Sequence, residues 1–389
     1  MRHTANHYTG DVMSVRKREW TTRKGEAKEA WIADYVDGTG KRHIQTFAQK
    51  KKADAYAAKV KVDVNAGTHV APDSNLTMAM VADKWINAVA ANGAERSTIR
   101  QYRLHVKNHI APRIGSLKLA KLTRGHVEHL RDDLLQGEQK LSPATAHKVW
   151  VSFKSMLKSA HCAHVADNIS IKKGKRSRPL EVGTDIPTLD EVKRIIAAAG
   201  DNMRLATFLR TAALTGLRAS ELLGLRWHDV DLKRHEINVR QRSDRYRTIG
   251  APKSATSIRT IPVGPDLVHT LKQWRLACPK GEADLVFPNK NGAVWHYDNC
   301  VRAVNPILCR AGVVDRGGEP KYALHAFRHF FASWCINPKD RGGRELPAKV
   351  VQEWLGHSSI KMTLDIYGHL FPRSSDGAEI AASEKALFG

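Results

Sequence analysis

The sequence predicts a multidomain protein that is mainly α-helical with small β elements. The chain has 389 residues, enough for two or three domains of about 100 to 200 residues each. Short alternating segments fill its start, helical periodicity fills its middle, and both patterns follow from residue 188 onward. We therefore expect an N-terminal three-stranded sheet with a helix, then a helical domain, then a mixed α+β domain. The expected bounds are residues 1–74, 75–172 and 188–389, with a linker at 173–187.

The first segment predicts three antiparallel strands and one helix. SVRKREW, EAWIADYV and RHIQTFA mix apolar and polar residues as strands do, and turn residues such as Gly25 and Gly38 separate them. Apolar residues then recur at helical spacing from Ala53 to Val64, and Gly67 is typical of a helix end. The basic residues of this segment favour DNA contact over a purely structural role. They are Arg16, Arg18, Lys41, Arg42, Lys50, Lys51 and Lys52.

Residues 75–172 predict helices throughout. Thr77 precedes an apolar periodic run and is a predicted N-cap, because its hydroxyl can accept a hydrogen bond from the helix backbone. The second helix of this domain has an apolar stripe on one face and basic residues on another. The apolar stripe is Ile99, Tyr102 and Val106, and the basic face is Arg96, Arg100, Arg103 and Lys107. Such a basic face fits the phosphates along a DNA groove.

The second half of the chain predicts a linker and a mixed domain. The linker is basic and contains proline and glycine, so we expect it to be extended and able to wrap a duplex. From Thr188, helices alternate with two strands, HEINVRQ and SIRTIPVG, and an irregular stretch precedes the last helices. The second helix after Thr188 is predicted to end at Gly216. Apolar residues in the tail predict docking on a neighbouring copy of the chain or, alternatively, on the same domain. These residues are Ile380, Leu387 and Phe388.

The net charge of the chain predicts a polyanionic partner. Lys and Arg number 63 against 39 Asp and Glu, which gives +24 and a pI near 9.9. Residues 75–178 carry 19 basic and 7 acidic side chains, so the helical domain and the start of the linker together hold half of the excess. A charge excess kept for solubility alone is the alternative, but it is costly because like charges repel one another. Nucleic acid is the favoured partner.

The sequence predicts a cytoplasmic protein that is neither secreted nor membrane-embedded. The start, MRHTANHYTGDVMS, lacks the long apolar segment of a signal peptide, and no stretch approaches the roughly 18 apolar residues of a membrane helix. The five cysteines are scattered and form no CxxC pair. We therefore expect reduced thiols rather than disulfides, a zinc ribbon or a redox motif.

Several residues after position 200 suit chemistry on a phosphate. Arg218 and Arg328 carry permanently charged forks, each of which can hold two phosphate oxygens. Two forks can neutralise the charge that develops during in-line attack, and the sequence lacks a carboxylate cluster suited to Mg²⁺. Glu221 lies three residues after Arg218, where the two can pair on one helix face. The other candidates are Lys253, His325, His357 and Tyr367.

Each candidate also has a simpler interpretation when taken alone. Arg218 and Glu221 could form a structural ion pair, and a histidine or a late tyrosine is ordinarily a packing residue. His325 and His329 have the i, i+4 spacing of a metal pair, but the glutamate of an HExxH motif and a third ligand are missing. We therefore expect no metal and no cofactor.

The combined motifs resemble those of tyrosine recombinases of the phage and mobile-element integrase type. TGLRASELLGLRWHDVD resembles the first arginine box, PKSATSIRTIPV the lysine hairpin, HAFRHFFASW the His-x-x-Arg box, and LGHSSIKMTLDIYGHL the closing box. The segment CINPKDRGGRELPAK between the last two boxes is longer and more polar than the family's usual turn. By architecture, the first two domains are similar to the family's arm-binding and core-binding, SAM-like domains.

The resemblance implies that Tyr367 is the nucleophile. It would attack a DNA phosphodiester, form a 3′-phosphotyrosyl link and release a 5′-hydroxyl, with no need for ATP because the bond energy is retained. Arg218 and Arg328 would clamp the scissile phosphate, and Lys253 would protonate the leaving 5′ oxygen.

The resemblance assigns supporting roles to the remaining candidates. His325 would assist proton transfer around the tyrosine, whose ordinary pKa near 10 calls for help at neutral pH. His357 would donate a hydrogen bond to the phosphate. Glu221 would hold an arginine in place without taking part in the reaction.

The function implied is that of a site-specific DNA recombinase, an integrase that inserts or excises a mobile element. Its implied partners are double-stranded DNA attachment sites and three further copies of the chain in a tetramer, with a host DNA-bending protein and an excision factor as further candidates. One alternative is a type IB topoisomerase, which the N-terminal basic module disfavours. Another is a DNA-binding protein that has lost the chemistry, which the presence of all six candidate residues disfavours.

Overall fold

The structure is a computed structural model that describes residues 13–22, 25–37, 40–65, 75–174, 178–252, 254–371 and 377–388. Residue contacts divide the chain into two units, Met1–Lys175 and Arg176–Gly389. The domain bounds expected from the sequence stay predictions. Within the described part of the chain, every helix is too short or too polar to cross a lipid bilayer.

The first unit begins with an antiparallel sheet followed by a helix. Its elements are β1 (Met13–Thr21), β2 (Ala27–Val36), β3 (Arg42–Phe47) and α1 (Lys50–Asn65). The strand order is β1-β2-β3, and α1 covers one face, where Tyr56 lies against the rings of Tyr35 and Phe47. The three strands and the helix confirm the sequence prediction. The predicted turn residue Gly38 and the predicted helix end Gly67 lie outside the described residues.

The opposite face of this sheet carries basic side chains anchored on a buried carboxylate. Asp34 of β2 is buried, and it accepts hydrogen bonds from Arg42 Nε at 2.8 Å and from Arg16 Nη2 at 3.3 Å. Because neighbouring residues of a strand point to opposite faces, Asp34 lies away from Tyr35 and α1. The hydrogen bonds from Arg42 lower the pKa of Asp34 despite its burial. Both arginine side chains stay more than half exposed.

The rest of the first unit is helical. Its elements are α2 (Met78–Ala91), α3 (Arg96–His105), a π-helical turn (Val106–Ile110), α4 (Ala111–Ile114), α5 (Arg124–Gln136), α6 (Pro143–Ser159) and short 3₁₀ turns at Leu119–Lys121 and Ala163–Ala166. Thr77 caps α2 by accepting a hydrogen bond from the backbone N–H of Met80 at 3.3 Å, as predicted. Trp85, Val127 and Phe153 are among the side chains that form the core.

Helix α3 has the two faces that the sequence predicts. Ile99, Tyr102 and Val106 pack on the core of this module. The ring of Tyr102 contacts that of Trp85 at a tilt, with ring centroids 4.6 Å apart. Arg96, Arg100, Arg103 and Lys107 are all exposed. Helical structure runs without a break from α3 to α4, through the π-helical turn at Val106–Ile110.

The second unit mixes helices with small sheets around one hydrophobic core. Its helices are α7 (Leu189–Ala198), α8 (Met203–Thr215), α9 (Ala219–Gly224), α10 (Pro265–Ala277), α11 (Tyr297–Arg310), α12 (His325–Ile336), α13 (Ala348–Leu355), α14 (Ile360–Tyr367) and α15 (Gly377–Phe388). Its strands are β4 (Val230–Asp231), β5 (Glu236–Val239), β6 (Arg242–Ser243), β7 (Ile249–Gly250) and β8 (Arg259–Pro262). The strands form an antiparallel sheet β4-β5-β8 and a hairpin β6-β7. This architecture confirms the predicted fold class.

Three details of the second unit bear on the sequence predictions. The predicted irregular stretch contains α11, so that prediction is wrong. The interior proline Pro306 discourages a helix, yet buried Cys300, Val304 and Ile307 hold α11 against the core. Within the predicted linker, Leu180 and Ile186 are buried in the core of this unit.

The tail forms the helix that its spacing predicts, α15. Leu387 and Phe388 are exposed, and the side chain of Ile380 lies outside the described residues. Docking of this helix on another copy stays a prediction.

Candidate active site

Arg328 occupies the centre of the candidate site. Its side chain projects from α12 and is only 3% exposed. Arg328 Nη1 donates to the carbonyl of Gly216 at 2.8 Å, and Nη2 donates to the carbonyl of Leu355. Burial, followed by the charge of Arg218, lowers the pKa of Arg328 to about 9, so the guanidinium stays charged at neutral pH.

The carbonyl that receives Arg328 depends on a glycine. Gly216 ends α8 in the left-handed conformation, with φ of 60°, as the sequence predicted for this helix end. A Cβ at this position would lie 2.4 Å from Cδ1 of Phe331 on α12. A larger residue at 216 would therefore push apart the two helices that carry the site.

Arg218 follows directly and is held by Glu221. The Glu221 carboxylate accepts hydrogen bonds from Arg218 N at 2.8 Å and Arg218 Nη1 at 2.7 Å. Arg218 Nη2 also donates to the carbonyl of Gly356 at 3.1 Å, the residue before His357. The side chain of Arg218 stays one-third exposed, so it can meet a ligand from solvent.

A third arginine, Arg259 of β8, shares the same carboxylate. Arg259 Nη2 donates to Glu221 Oε2 at 2.9 Å, and Arg259 Nε donates to the carbonyl of Trp354 at 2.6 Å. Burial by itself would raise the pKa of Glu221, but the hydrogen bonds and charges of Arg259 and the charge of Arg218 lower it to about 2. Two guanidinium groups thus share one carboxylate, and Arg328 adds a third positive charge nearby, so the excess positive charge makes this an anion site.

Tyr367 is the last residue of α14 and is buried, with 1% exposure. Its hydroxyl lies 2.7 Å from Nδ1 of His329 on α12, within hydrogen-bonding distance. The ring of His329 meets the ring of His325 edge to face, with centroids 4.7 Å apart. His325 itself is exposed. Loss of solvation, followed by the charges of Arg328 and Arg218, lowers the pKa of His325.

His357 lies on the other side of the tyrosine. Its ring is parallel to that of Tyr367, with centroids 6.5 Å apart, and its Nδ1 is 2.9 Å from the hydroxyl of Thr363. Burial, then the charges of Arg328, Arg218 and Arg259, lower the pKa of His357 to about 3. His357 is therefore neutral at pH 7, and a neutral imidazole can still donate one hydrogen bond.

The long segment before α13 is folded onto the helices of the site. Arg344 lies between two tryptophans, with its guanidinium carbon 5.2 Å from the ring centroid of Trp334 on α12 and 4.8 Å from that of Trp354 on α13. The backbone N–H of Arg344 donates to the carbonyl of Trp334. This cation–π contact joins the helix of Arg328 to the helix that precedes His357.

The structure brings together five of the six residues selected from the sequence: Arg218, His325, Arg328, His357 and Tyr367. The sixth, Lys253, lies outside the described residues, between β7 and β8. Among the described residues, there is no group of three or more His, Cys, Asp or Glu side chains that could hold a metal ion.

The sequence did not select two residues of this site, Arg259 and His329. The sequence position of each residue nevertheless gave an indication of its place in the site. His329 has helical spacing from His325 and follows Arg328 directly, but that spacing suggested only a metal pair. Arg259 lies in the strand after Lys253, and a buried Glu221 that faces two cations was not foreseen.

The two domain families that match the chain agree with this division into a helical module and a mixed unit. Residues 187–373 match the model of the phage integrase family, and residues 77–135 match the model of the phage integrase N-terminal SAM-like domain. The first match contains all six selected residues.

Curated relatives cover most of the chain. A XerC-like tyrosine recombinase of Caldanaerobacter subterraneus subsp. tengcongensis is 28% identical over 88% of this chain and 92% of its own length. The ICEBs1 integrase of Bacillus subtilis is 26% identical over 69% of this chain and 72% of its own length.

Solved structures share the fold. The Tn1549 transposon integrase, in complex with transposon right-end DNA, aligns with a TM-score of 0.57 and 19% identity over 80% of this chain and 99% of that one. A lambda integrase dimer bound to a core site aligns with a TM-score of 0.56 and 17% identity over 96% and 98%. At such identities, these similarities establish the fold alone.

Proposed function

Because the chain belongs to the phage integrase family of tyrosine recombinases, we propose that it integrates or excises a mobile element by cutting and rejoining DNA at specific attachment sites. One observation carries this proposal above the others. Tyr367 is buried and lies close enough to Arg328 for their charges to interact, and Arg328 interacts in the same way with Arg218. Together these two guanidinium groups have more positive charge than Glu221 can balance. A nucleophile beside an anion site is what attack on a phosphodiester requires.

In the proposed reaction, Tyr367 attacks the scissile phosphorus and forms a 3′-phosphotyrosyl bond while the 5′ oxygen leaves. Arg218 and Arg328 stabilise the charge that develops on the non-bridging oxygens. Lys253 protonates the leaving 5′ oxygen. A 5′-hydroxyl from a partner strand then attacks the phosphotyrosine, and the strands are rejoined without an external energy source.

The two histidines selected from the sequence support this step. His357 is neutral because its pKa is about 3, so it donates a hydrogen bond to the phosphate and adds no charge. His325 is exposed beside the tyrosine pocket and exchanges protons with solvent.

DNA is the proposed partner of the first unit as well. The exposed face of α3 grips the backbone of the cleaved duplex through Arg96, Arg100, Arg103 and Lys107. The sheet of the N-terminal module contacts a second, arm-type site through Arg16 and Arg42, which Asp34 holds in place. Four copies act together in the proposed synapse, because two duplexes are each cut on both strands. A host DNA-bending protein and an excision factor are proposed accessory partners.

Covalent trapping tests the proposed chemistry. The protein is incubated with a pool of nicked duplexes that carry a randomised segment, and adducts that survive SDS are captured and sequenced. We expect a defined sequence family linked to Tyr367 by its 3′ phosphate. Tyr367→Phe should abolish the adduct while DNA binding remains, whereas Tyr297→Phe, a change at an exposed tyrosine, should leave it intact.

Two results would contradict the proposal. Adducts that persist in the Tyr367→Phe variant would remove the nucleophile assignment. Efficient relaxation of a supercoiled plasmid without the captured sequence, with no strand exchange between captured sites, would instead indicate a topoisomerase.

A further inference from the structure

The hydroxyl of Tyr367 has a basic partner that neither the sequence motifs nor the proposed roles use. Nδ1 of His329 lies 2.7 Å from this hydroxyl, and the two rings meet edge to face with centroids 5.7 Å apart. His329 is half-buried on α12, one residue after Arg328. The same helix therefore holds a phosphate-binding arginine and the histidine at the nucleophile.

We propose that His329 is the general base that removes the phenolic proton of Tyr367 during strand cleavage. The proposal rests on the proposed recombinase function, because it concerns the activation of that nucleophile. A base must lie within about 2.6 to 3.2 Å of the proton donor it serves, and His329 meets this criterion in the resting protein.

The proton and bond changes balance in one step. The proposed step uses the tautomer of His329 that carries its proton on Nε2, in which the lone pair of Nδ1 accepts the hydrogen bond from Tyr367. As the bond between Tyr367 Oη and phosphorus forms, the phenolic proton passes to Nδ1. The bond between phosphorus and the 5′ oxygen breaks, and Lys253 supplies a proton to that oxygen. On rejoining, His329 returns its proton to the tyrosine.

Charged groups surround the pocket and act on His325 and His357. Arg328 and His325 face the pocket from α12, Arg218 from the start of α9, and His357 from the loop before α14. Glu221 of α9 and Arg259 of β8 are further charged groups of the site among the described residues. Burial and these arginine charges lower the pKa of His357 and, with loss of solvation, that of His325.

His325 completes the arrangement on the solvent side. It is exposed, and its ring contacts that of His329 with centroids 4.7 Å apart. His325 thus lies between His329 and solvent, where it can exchange protons with water while His329 stays in contact with the nucleophile. This geometry gives the two histidines different tasks: His329 accepts the proton, and His325 exchanges it.

The test separates proton acceptance from positioning. In His329→Asn, the side-chain amide occupies the place of Nδ1 and keeps a hydrogen bond to Tyr367, but it cannot accept a proton. Single-turnover cleavage is measured on the nicked duplex captured by the wild-type protein, from pH 6 to 9.5. We expect a loss of about 10²- to 10⁴-fold at pH 7 that diminishes as pH rises, because hydroxide can then ionise the phenol. His269→Asn, at an exposed histidine of α10, is the matched control and should cleave at the wild-type rate.

A second measurement makes the result independent of any change in folding. Replacing Tyr367 by a fluorinated tyrosine, which ionises more readily, should recover much of the rate lost in His329→Asn. Cleavage by His329→Asn within about threefold of wild type across the pH range would overturn the proposal, as would a loss that neither pH nor fluorination changes. A wild-type protein that forms no adduct would instead refute the proposed recombinase function.

Discussion

The basic residues of the active site and those of helix α3 carry the same charge in opposite environments. Arg328 is 3% exposed and donates to two backbone carbonyls, and Arg259 is buried against Glu221. Arg100 and Arg103 on α3 are exposed to solvent. The buried guanidinium groups therefore have a fixed position, whereas the exposed ones supply charge. The former suits a transition state that needs defined donors, and the latter suits a DNA backbone.

The two environments also differ in their energetics. A buried cation loses its hydration, so it is stable only with hydrogen-bond partners, and the fold must supply a carboxylate and carbonyls for the arginine cluster. An exposed cation keeps its hydration, and salt screens its attraction to phosphate over a Debye length of about 8 Å at physiological ionic strength. Substitutions in the two regions should therefore affect different measurements.

The largest contrast is expected from the same conservative change in each region. Arg328→Lys keeps a positive charge, but an ammonium group cannot donate to the carbonyls of Gly216 and Leu355 and to a phosphate in the geometry of a planar fork. We expect cleavage of the captured duplex to fall by about 10²- to 10³-fold. Arg103→Lys should change cleavage by less than about twofold, because an exposed phosphate contact needs only charge. Equal losses of cleavage in both variants would show that the buried arginine needs its guanidinium geometry no more than the exposed one does.

A second contrast concerns the stability of the arginine cluster. Glu221→Gln leaves Arg218 and Arg259 without their carboxylate, and we expect a loss of about 3 kcal/mol in the free energy of unfolding at pH 7. Glu353→Gln, which removes an exposed partner of Lys349, should cost less than about 1 kcal/mol. Urea unfolding of the full-length variants measures both values.

The pH dependence of that difference follows from the pKa of Glu221. Its value in the folded protein, about 2, lies below the ordinary 4.5, so the carboxylate stabilises the fold fully above pH 4.5. This stabilisation is lost as pH falls from about 4.5 towards 2. The difference in the free energy of unfolding between wild type and Glu221→Gln should therefore be constant from pH 7 to 5 and become smaller below pH 4.5. A gap that persists unchanged at pH 2.5 would exclude the carboxylate as its source.

Local patterns in the sequence predicted much of this fold. The helix end at Gly216, the cap at Thr77 and the two faces of α3 each depend on a few neighbouring residues, and the structure contains all three. Helix α11 was missed because Pro306 breaks the local pattern, while buried contacts with distant residues hold the helix. Intrinsic helix propensity decides whether such a segment is helical only where tertiary packing does not override it.

The candidate site could be predicted in part for the same reason. Motifs selected the residues that we propose to act on a phosphate directly, and the order of these motifs along the chain pointed to them. Arg259 and His329 act through partners, Glu221 and Tyr367, that lie 38 residues away in each case. Which side chain meets which across such a separation depends on how the helices and strands pack, and no local pattern encodes it.

The smallest expected effect concerns the proposed contact of α3 with DNA phosphates. Each cation that contacts a DNA phosphate releases counterions on binding, so the slope of log affinity against log salt falls by about 1 when that cation is removed. Arg103→Gln should therefore lower the salt slope by about 1 on any duplex, with little change in cleavage once DNA is bound. Arg131→Gln is the matched control, because Nε and Nη2 of Arg131 already donate to Asp132 at 2.7 and 3.0 Å. An equal change of the salt slope in the two variants would show that the loss of any surface cation, rather than of a phosphate contact made by α3, sets the effect.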